Sequence, residues 1–399
     1  GPRARSMRAL RGPRRRSGAR RGGAQGGACR GLSRRASAAA PPWGPARAPR
    51  RPMDRLKAGY ERIRRSTEQA GEQLMRQGFS LEGGAPQMMH KLQHKRQYSI
   101  GGRTVVEERQ INEGGFAFVW KARDVHTQEE LALKKIIVQD QKAMGMAKRE
   151  IAILEKLPPH PNLVKYYGHT LGDTEGKTKE VCLLFELCPG GHLLDLLDRN
   201  KGVLSEETVL TVFKDIVKGV ALLHTMSPPI QHRDLKVENV LLGTNGCYKL
   251  CDFGSWCDER SDLGTMDKHQ ISALQDQIDR YTTMMYRPPE MVDFYQQFVI
   301  TEKCDIWMLG CILFTLMFCR HPFQDESSLA IANARYHIPP SPEYCEQLVD
   351  LVHWLLARDP SNRPCAAQLL EVLENFHGAT LVLPQAVLDR RGKEGGPYE

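Results

Sequence analysis

The first 52 residues of this 399-residue chain contain no Asp, Glu or Lys, and no Val, Ile, Phe or Tyr. A segment without these apolar residues cannot bury a core, so we expect residues 1–52 to be disordered. The segment holds 15 arginines, and the net charge of +9 for the whole chain therefore leaves −6 for residues 53–399. The basic isoelectric point comes from this Arg-rich leader, and the remainder of the chain is mildly acidic.

Three interpretations of the Arg-rich leader remain open. Because the chain begins with Gly1, the leader is consistent with translated GC-rich sequence upstream of a start at Met53. Arg and Ser without acidic residues also fit an organelle transit peptide. A third interpretation is a basic arm for nucleic acid or anionic lipid. The leader has a single aromatic residue, Trp43, so we expect no specific nucleic-acid binding.

The rest of the chain lacks paired cysteines and long apolar runs. None of the 11 cysteines belongs to a C-x-x-C pair, which disfavours a zinc site. Many lie in apolar stretches, which favours reduced thiols in a cytoplasmic protein. The longest apolar run, residues 307–319, is interrupted by Gly310 and Thr315 and is shorter than the roughly 20 residues that span a bilayer. We therefore expect a buried core helix.

Residues 53–76 show a helical repeat. Its stripe alternates spacings of four and three, as a and d positions do in heptads. The stripe consists of Leu56, Tyr60, Ile63, Thr67, Ala70 and Leu74. We predict an amphipathic helix, followed by a basic linker that ends near residue 97. This helix either contacts a membrane or a partner helix, or is a solvated helix with one apolar side.

From residue 98 onward the pattern indicates a globular domain in two parts. Alternating apolar residues predict strands up to about residue 185, and longer periodicities predict helices over residues 192–377. The predicted class is α+β. A small β-rich N-lobe (98–185) precedes a hinge (186–191), a larger helical C-lobe (192–377) and a tail (378–399).

The motif HRDLKVENVLL, residues 232–242, points to phosphoryl transfer. It matches the H-R-D-L-x-x-x-N catalytic loop of protein kinases. Asp234 would accept the hydrogen bond of the substrate hydroxyl, and Lys236 would reach the transferred phosphate. Asn239 would hold a magnesium ion. A DFG motif begins at Asp252, which would also ligate Mg²⁺, and the order of the two motifs brings both carboxylates to one cleft.

A lysine and a glutamate upstream complete this set. Lys134 in LALK fits the V-A-I-K template for the lysine that holds the ATP phosphates, and on an alternating strand Lys135 points to the opposite face. Glu150 is the predicted ion-pair partner of Lys134. The competitor Glu155 shares the same predicted helix but lies close to the Pro-Pro sequence that ends it.

The segment INEGGFAFVW fits the phosphate loop G-x-G-x-x-G-x-V with only one of its three glycines. Gly114 keeps the position of closest approach, while Asn112 tolerates unusual backbone angles and Ala117 is small. We therefore predict a working ATP loop with Phe116 at its tip. The predicted nucleotide-binding residues are Asn112, Gly114, Gly115, Phe116, Ala117, Val119, Ala132, Lys134, Phe185, Glu186, Cys188, Leu241 and Cys251.

Within this set, Glu186 to Cys188 should present backbone groups to adenine, with Phe185 as the gatekeeper. A bulky gatekeeper predicts poor binding of inhibitors that exploit the back pocket. Cys251 precedes Asp252 and is either a thiol open to alkylation or an inert buried one.

Six further residues are interpreted from their place after the catalytic motifs. Thr283 should bridge Asp234 and Lys236, as its counterpart does in Ser/Thr kinases. Glu290 in RPPE should be buried, and its partner should be Arg363. Asp305 is expected to cap the apolar helix and to bond back to the catalytic loop. Thr282 and Ser261 are candidate phosphorylation sites, with solvated loop residues as the simpler interpretation of each.

Over roughly residues 100–377 these motifs resemble the eukaryotic protein kinase superfamily. The strings EGGFAFVW, HPNLVKYYG, ELCPGG, HRDLKVENVLL and KCDIWMLGC are similar to those of the Numb-associated kinase family, which includes the adaptor-associated and cyclin-G-associated kinases. The resemblance implies a bilobal protein-kinase fold, ATP and Mg²⁺ as cofactors, and protein Ser or Thr as the acceptor.

The resemblance also carries finer expectations. A clathrin adaptor medium chain is the best-known substrate class of that family, which implies a cytoplasmic protein at the periphery of endocytic membranes. The family's extra activation-segment helix would fall on MVDFYQQFVI, after Glu290. Because the endocytic role rests on resemblance alone, a Ser/Thr kinase unrelated to trafficking remains the alternative. A pseudokinase scaffold and a nucleic-acid binder acting through the leader are hypotheses from other classes.

Overall fold

The computed structural model of the protein describes residues 96–113, 117–173, 179–202, 204–324, 327–339, 344–376, 382–385 and 387–389. Several predictions lie outside these residues: those for the Arg-rich leader, the 53–76 helix, the loop residues Gly114, Gly115 and Phe116, and most of the 378–399 tail.

Ten strands form in the described part of the chain. They are β1 (Gln97–Ile100), β2 (Arg103–Glu113), β3 (Ala117–Asp124), β4 (Glu130–Val138), β5 (Tyr166–Asp173), β6 (Lys179–Glu186), β7 (Val240–Leu242), β8 (Tyr248–Leu250), β9 (Ser261–Asp262) and β10 (Val299–Ile300). The first six form one antiparallel sheet in the order β1-β2-β3-β4-β6-β5, and the others pair as β7–β8 and β9–β10.

The helices follow mainly after the sheet. They are α1 (Gln141–Lys156), α2 (Leu193–Arg199), α3 (Glu206–Thr225), α4 (Lys268–Tyr281), α5 (Pro289–Val292), α6 (Lys303–Phe318), α7 (Ser328–Ala332), α8 (Glu346–Leu355) and α9 (Ala366–Glu374). Only α1 interrupts the strands of the sheet. A β-rich lobe thus precedes a helical lobe, which confirms the predicted bilobal α+β fold.

The ends of α1 follow from local chemistry. Asp140 caps its first turn, because the carboxylate accepts from the backbone N–H of Ala143 at 2.7 Å. The helix ends at Lys156, just before Pro158, whose missing N–H and ring disfavour continuation.

The alternation along β4 separates two lysines. Lys134 points into the space between the lobes, and Lys135 points to the outer face of the sheet. There the Lys135 ammonium contacts the Glu107 carboxylate and lies 5.0 Å and 4.9 Å from the ring centroids of Tyr98 and Trp120. The predicted opposite orientation of the two lysines is confirmed.

The helical lobe is organised around α6. Every residue from Cys304 to Met317 is buried, and Trp307 has no exposed surface. A helix that is apolar on all sides belongs in the interior of a large core, which confirms the prediction for residues 307–319. No helix in the described part of the chain is long and apolar enough to cross a membrane.

The prediction of an extra helix after Glu290 is wrong. There α5 ends at Val292, and Asp293 instead caps a 3₁₀ turn by accepting from the N–H of Tyr295 at 3.0 Å. Gln297 then takes a left-handed backbone conformation with φ of 55°, which ends helical propagation. The β-branched pair that forms β10 follows and pairs with β9.

An additional helix lies upstream instead, where none was predicted. In α4, Asp267 accepts from the N–H groups of His269 and Gln270, and the Gln270 side chain accepts from the Asp267 N–H, which forms a capping box. Leu274 and Ile278, four residues apart, are the buried residues of this helix. The cap and this spacing are both visible in the sequence.

One ion pair lies wholly inside the helical lobe. Arg363 donates to Glu290 through two bonds of 2.6 and 2.8 Å, and neither side chain is exposed. The remaining guanidinium donors bond the carbonyl oxygens of Ala357, Lys303 and Arg358 at 2.8–3.1 Å. The predicted Glu290–Arg363 pair is confirmed, and both charges are hydrogen-bonded as burial requires.

Replacing Arg363 by Met should lower the free energy of unfolding by about 3–5 kcal/mol, because the Glu290 carboxylate would remain buried without its partner. Lys218→Met is the control, since the Lys218 side chain is 39% exposed and its ammonium lies 3.7 Å from the Asp215 carboxylate. A surface pair of this kind contributes under about 1 kcal/mol. Urea unfolding measures both, and equal small losses would contradict the buried-pair argument.

His321 is a buried histidine beside the segment that ends at Glu290. It is 2% exposed, its ring centroid lies 4.5 Å from that of Tyr286, and its Nδ1 accepts from the N–H of Phe323 at 3.2 Å. Burial lowers the pKa of His321 to about 3. The unfolded chain therefore takes up a proton at a pH where the folded protein does not.

We expect this histidine to make stability fall in acid. The contribution of His321 to the free energy of unfolding is complete above its ordinary pKa of 6.5 and is lost as the pH falls towards about 3. When the pH falls from about 7.5 to about 5, the free energy of unfolding of the wild type should decrease by about 2 kcal/mol more than that of His321→Asn. Asparagine is chosen because its side-chain oxygen can still accept from the N–H of Phe323. Urea unfolding across this range tests it, and parallel pH profiles would refute the assignment.

Candidate active site

A cleft of about 370 Å³ contains side chains from both lobes. Nine of the predicted nucleotide-binding residues line it: Asn112, Val119, Ala132, Lys134, Phe185, Glu186, Cys188, Leu241 and Cys251. Glu150, Asn239 and Asp252 from the predicted catalytic set are also on its wall. Residues scattered over 140 positions of sequence therefore meet at one surface.

Lys134 connects three elements inside this cleft. Its ammonium donates to Glu150 on α1 at 2.7 Å and to Asp252 at 2.9 Å. Burial opposes the charge of Lys134, but the two carboxylates outweigh it and raise its pKa above the ordinary value. The Lys134 charge in turn holds the pKa of Asp252 well below its usual range. The predicted ion pair is present, whereas the competitor Glu155 is 57% exposed.

Asp234 is held through both carboxylate oxygens. Its Oδ1 accepts from the N–H of Thr283 at 3.0 Å and from the hydroxyl at 2.8 Å, and its Oδ2 accepts from Lys236 at 2.6 Å. Lys236 also donates to the Thr283 hydroxyl at 3.0 Å, and Asn239 donates to the Asp234 carbonyl at 2.9 Å. Thr283 thus bridges Asp234 and Lys236 as predicted.

The loop that carries Asp234 is hydrogen-bonded to the buried helix α6. The N–H groups of His232 and Arg233 donate to the Asp305 carboxylate at 2.7 and 2.8 Å. This bond back to the loop was predicted, but the predicted capping role of Asp305 is wrong. Glu302 occupies the N-cap position of α6, and Asp305 lies inside the first turn with its carboxylate directed at the loop.

Comparison with known proteins identifies the family. The protein kinase domain model matches residues 105–373, which include both lobes and all the side chains just described. The chain belongs to the protein kinase family. In this kinase domain, the loop around Asp234 and the DFG motif that begins at Asp252 lie where the family's sequence templates place them.

The similar curated proteins are much longer than the part of them that matches. A probable serine/threonine-protein kinase of Dictyostelium discoideum is 42% identical over 260 residues, which are 64% of this chain and 23% of that protein. A second probable serine/threonine-protein kinase from the same organism is 38% identical over 287 residues, which are 71% of this chain and 35% of that protein. The serine/threonine-protein kinase ppk30 of Schizosaccharomyces pombe is 36% identical over 287 residues, which are 71% of this chain and 30% of that protein. The chain therefore spans about a quarter to a third of the length of these relatives.

Glu186, the first residue of the hinge, is hydrogen-bonded to Lys249 and Lys165. The Glu186 carboxylate accepts from Lys249 and from the N–H of Lys165, both at 2.7 Å, and the Glu186 N–H donates to the Lys165 carbonyl at 3.0 Å. The N–H of Glu186 is thus engaged within the protein. Phe185 lines the cleft with its ring 5.5 Å from that of Tyr166.

The phosphate loop is described only at its two ends. Asn112 lines the cleft, and its side-chain oxygen accepts from the N–H of Glu113 at 2.8 Å. Ala117 is not among the residues that line the cleft. It pairs with Ile136, two positions along β3 from the cleft residue Val119, and packs against the main core.

Five cleft residues outside the predicted hinge were not predicted as site residues: Ile111, Val164, His192, Glu238 and Phe253. Ile111 precedes Asn112 on β2, so its place beside the loop was a usable signal. Val164 has no such signal, because only the return of the chain towards β8 brings it there. Glu238 lies inside the HRDLKVEN motif, and burial raises its pKa to about 7.

The activation segment is tied back on itself. The Ser255 hydroxyl, just after DFG, donates to the carbonyl of Tyr281 at the end of α4. Arg287 contacts the Asp279 carboxylate and donates to the Thr282 hydroxyl at 2.8 Å and carbonyl at 3.0 Å. The residues just after DFG and the residues of RPPE are therefore both bonded to the C-terminal end of α4.

The two candidate phosphorylation sites are not solvated loop residues in this structure. The Thr282 hydroxyl donates to the Ile278 carbonyl at 2.8 Å while it accepts from Arg287. Ser261 is 6% exposed and pairs with Ile300 between β9 and β10. A phosphate on either hydroxyl would require these contacts to open.

The two cysteines of the cleft are poor nucleophiles. Burial raises the pKa of the Cys251 thiol above its ordinary value, and burial raises that of Cys188 to about 12. Both thiols are protonated at neutral pH, whereas the thiolate is the form that attacks electrophiles. The structure favours the inert interpretation of Cys251.

Phe185→Gly should open the cleft behind the adenine position. We expect adenine analogues with a bulky N6 substituent to gain roughly tenfold or more in affinity, because the phenyl ring excludes them. Affinity for ATP itself should change far less, and a competition binding assay with both ligands measures the two effects. If the bulky analogues gained nothing while the variant remained folded, the hinge would lie in a different register.

Proposed function

We propose that the protein transfers the γ-phosphate of ATP to Ser or Thr residues of protein substrates. The observation that carries this proposal is a pair of hydrogen-bonded charged clusters, one on the wall of the cleft and the other bonded to the cleft residue Asn239. Lys134 is bound to Glu150 and Asp252, while Asp234 is bound to Lys236 and Thr283. Phosphoryl transfer depends on placing such groups and needs little covalent chemistry from the protein.

Each group has a role in this proposal. Lys134, fixed by Glu150, would hold the α- and β-phosphates through its charge. Asp234 would orient the acceptor hydroxyl and take its hydrogen bond, and Lys236 would stabilise the charge on the transferred phosphoryl group. Lys236 is suited to this because the Asp234 carboxylate, against the effect of burial, raises its pKa above the ordinary value.

The donor set near Asp252 suits Mg²⁺. Asn239 and Asp252 offer oxygen ligands, which this cation prefers. The Asn239 amide nitrogen is engaged by Asp234, which leaves the amide oxygen for the cleft. The Asp252 side chain is 47% exposed although it accepts from Lys134. When bound, Mg²⁺ neutralises the charge of the ATP phosphates.

A serine or threonine acceptor is supported by two observations. The Thr283 hydroxyl lies between Asp234 and Lys236, in the bridge expected of a Ser/Thr kinase. The relatives that match 64–71% of this chain carry serine/threonine-protein kinase in their names. The kinase outside trafficking pathways and the catalytically silent scaffold are the two alternatives, and the same assay separates them.

We further propose membership of the Numb-associated subfamily, with a clathrin adaptor medium chain as the substrate. The proposal rests on the strings from EGGFAFVW to KCDIWMLGC. It includes a cytoplasmic location at endocytic membranes, with the helix predicted over residues 53–76 as the contact to the membrane or to a partner helix.

The test is phosphate transfer from Mg-ATP by the full chain. The acceptors are a threonine-containing adaptor medium-chain peptide, its serine and alanine versions, and a generic basic protein substrate. Asp252→Asn is the blank, because it removes the charge that Lys134 and the metal require. We expect transfer to threonine that falls by at least about a hundredfold in the blank.

The outcomes separate the hypotheses. Transfer to the threonine peptide, but not to the alanine version, supports both the kinase activity and the adaptor substrate. Transfer to the generic substrate alone keeps the kinase and rejects the adaptor. Absence of transfer above the blank on every acceptor would favour a scaffold that retains the fold.

A further inference from the structure

Trp256 joins the activation segment to α1. It follows Asp252 by four residues, is 8% exposed and belongs to the main core. Its indole Nε1 donates to the backbone carbonyl of Arg149 at 2.8 Å. The Arg149 guanidinium returns a bond of 3.1 Å to the backbone carbonyl of Trp256, 107 positions away. The two residues thus exchange a reciprocal pair of hydrogen bonds.

The next residue of the segment is bound on the opposite side. Cys257 and Gln231 exchange backbone hydrogen bonds, with N···O distances of 3.0 and 2.7 Å. Gln231 immediately precedes His232, whose N–H is bound to Asp305. Trp256 and Cys257 therefore connect α1 with the loop that carries Asp234.

The orientation of α1 decides whether Glu150 meets Lys134. Arg149 and Glu150 are neighbours, and successive residues of a helix point about 100° apart. The buried apolar side of α1 includes Ile151 and Leu154, whose packing is not directional. A hydrogen bond to the Arg149 carbonyl, in contrast, resists rotation and outward movement of the helix at the turn that holds Glu150.

We propose that Trp256 is a positioning residue that holds α1 in the orientation in which Glu150 binds Lys134. Trp256 is not on the wall of the cleft, so it acts through Arg149 and Glu150. Without the indole N–H, α1 shifts towards orientations in which Lys134 is not held for the phosphates. The inference rests on the proposed function, because it assigns Lys134 to nucleotide phosphates.

The experiment compares Trp256→Phe with the wild type as full chains. Phenylalanine keeps an aromatic ring but lacks the N–H donor. We measure dissociation constants for a non-hydrolysable ATP analogue with Mg²⁺ and for adenosine, which carries no phosphate. The variant should bind the ATP analogue about five- to tenfold more weakly, which is the usual effect of losing one buried hydrogen bond. Adenosine affinity should change less than about twofold, because Lys134 does not contact it.

Two further variants give controls. Trp120→Phe is the matched substitution, since Trp120 lies on the outer face of the sheet beside Lys135. It should leave both affinities unchanged. In a Glu150→Gln background, Trp256→Phe should have an effect of less than about twofold, because the group through which Trp256 acts is already impaired. Urea-unfolding midpoints confirm that each variant is folded.

The outcomes decide the inference without reference to turnover. Equal weakening of the ATP analogue and adenosine would show that Trp256 merely maintains the cleft and would overturn the proposal. An undiminished effect in the Glu150→Gln background would overturn it as well, as would unchanged affinity for the ATP analogue. Absent phosphate transfer in a wild type that binds both ligands as expected would reject the kinase activity but not the role of Trp256. A wild type that binds neither ligand would contradict both.

Discussion

The catalytic loop depends on a carboxylate that has no contact with solvent. Asp305 is fully buried on α6, where burial alone would raise its pKa. The His224 bond and charge and the N–H of Arg233 outweigh that effect and hold its pKa below the ordinary value. A buried ionised carboxylate is costly unless its oxygens are bonded. Two of the bonds that satisfy Asp305, from the N–H groups of His232 and Arg233, also shape the loop.

The strained backbone of the site is held by these contacts. Arg233 and Asp252 have φ of 67° and 62°, in the left-handed region that residues other than glycine rarely adopt. Asp305 accepts a hydrogen bond from the N–H of Arg233. The charged ammonium of Lys134 forms an ion pair with the Asp252 carboxylate. Such conformations persist where surrounding structure determines them, and they concentrate at functional sites.

The cleft is shared between lobes that differ in how they are built. The sheet supplies Lys134 through strict alternation, and α1 supplies Glu150 through one turn of helix. The C-lobe supplies Asp234 and Asp252 from irregular segments fastened to a dense core. Lys134 contacts a group from each lobe. Its ion pair with Asp252 therefore depends on the separation of the lobes, and its ion pair with Glu150 depends on the tilt of α1.

Prediction from sequence succeeded where the chemistry is local or the motif is dense. The lobes were expected from the strand and helix patterns. The Lys134–Glu150 pair, the Thr283 bridge and the buried Glu290–Arg363 pair were expected from the match to kinase motifs, which assigns these positions. The helix that the resemblance implies after Glu290 does not form, and α4 was not predicted, although its cap at Asp267 is a local signal in the sequence.

Residue order by itself determined which side chains carry the chemistry and which lobe holds each of them, because alternation, capping and motif spacing act over a few residues. Only the tertiary structure decided that Val164 reaches the cleft, that Asp305 binds the loop and does not occupy the N-cap position of α6, and that Trp256 meets Arg149. These contacts join segments up to 107 positions apart. No local pattern encodes a distance that is set by the packing of a whole core.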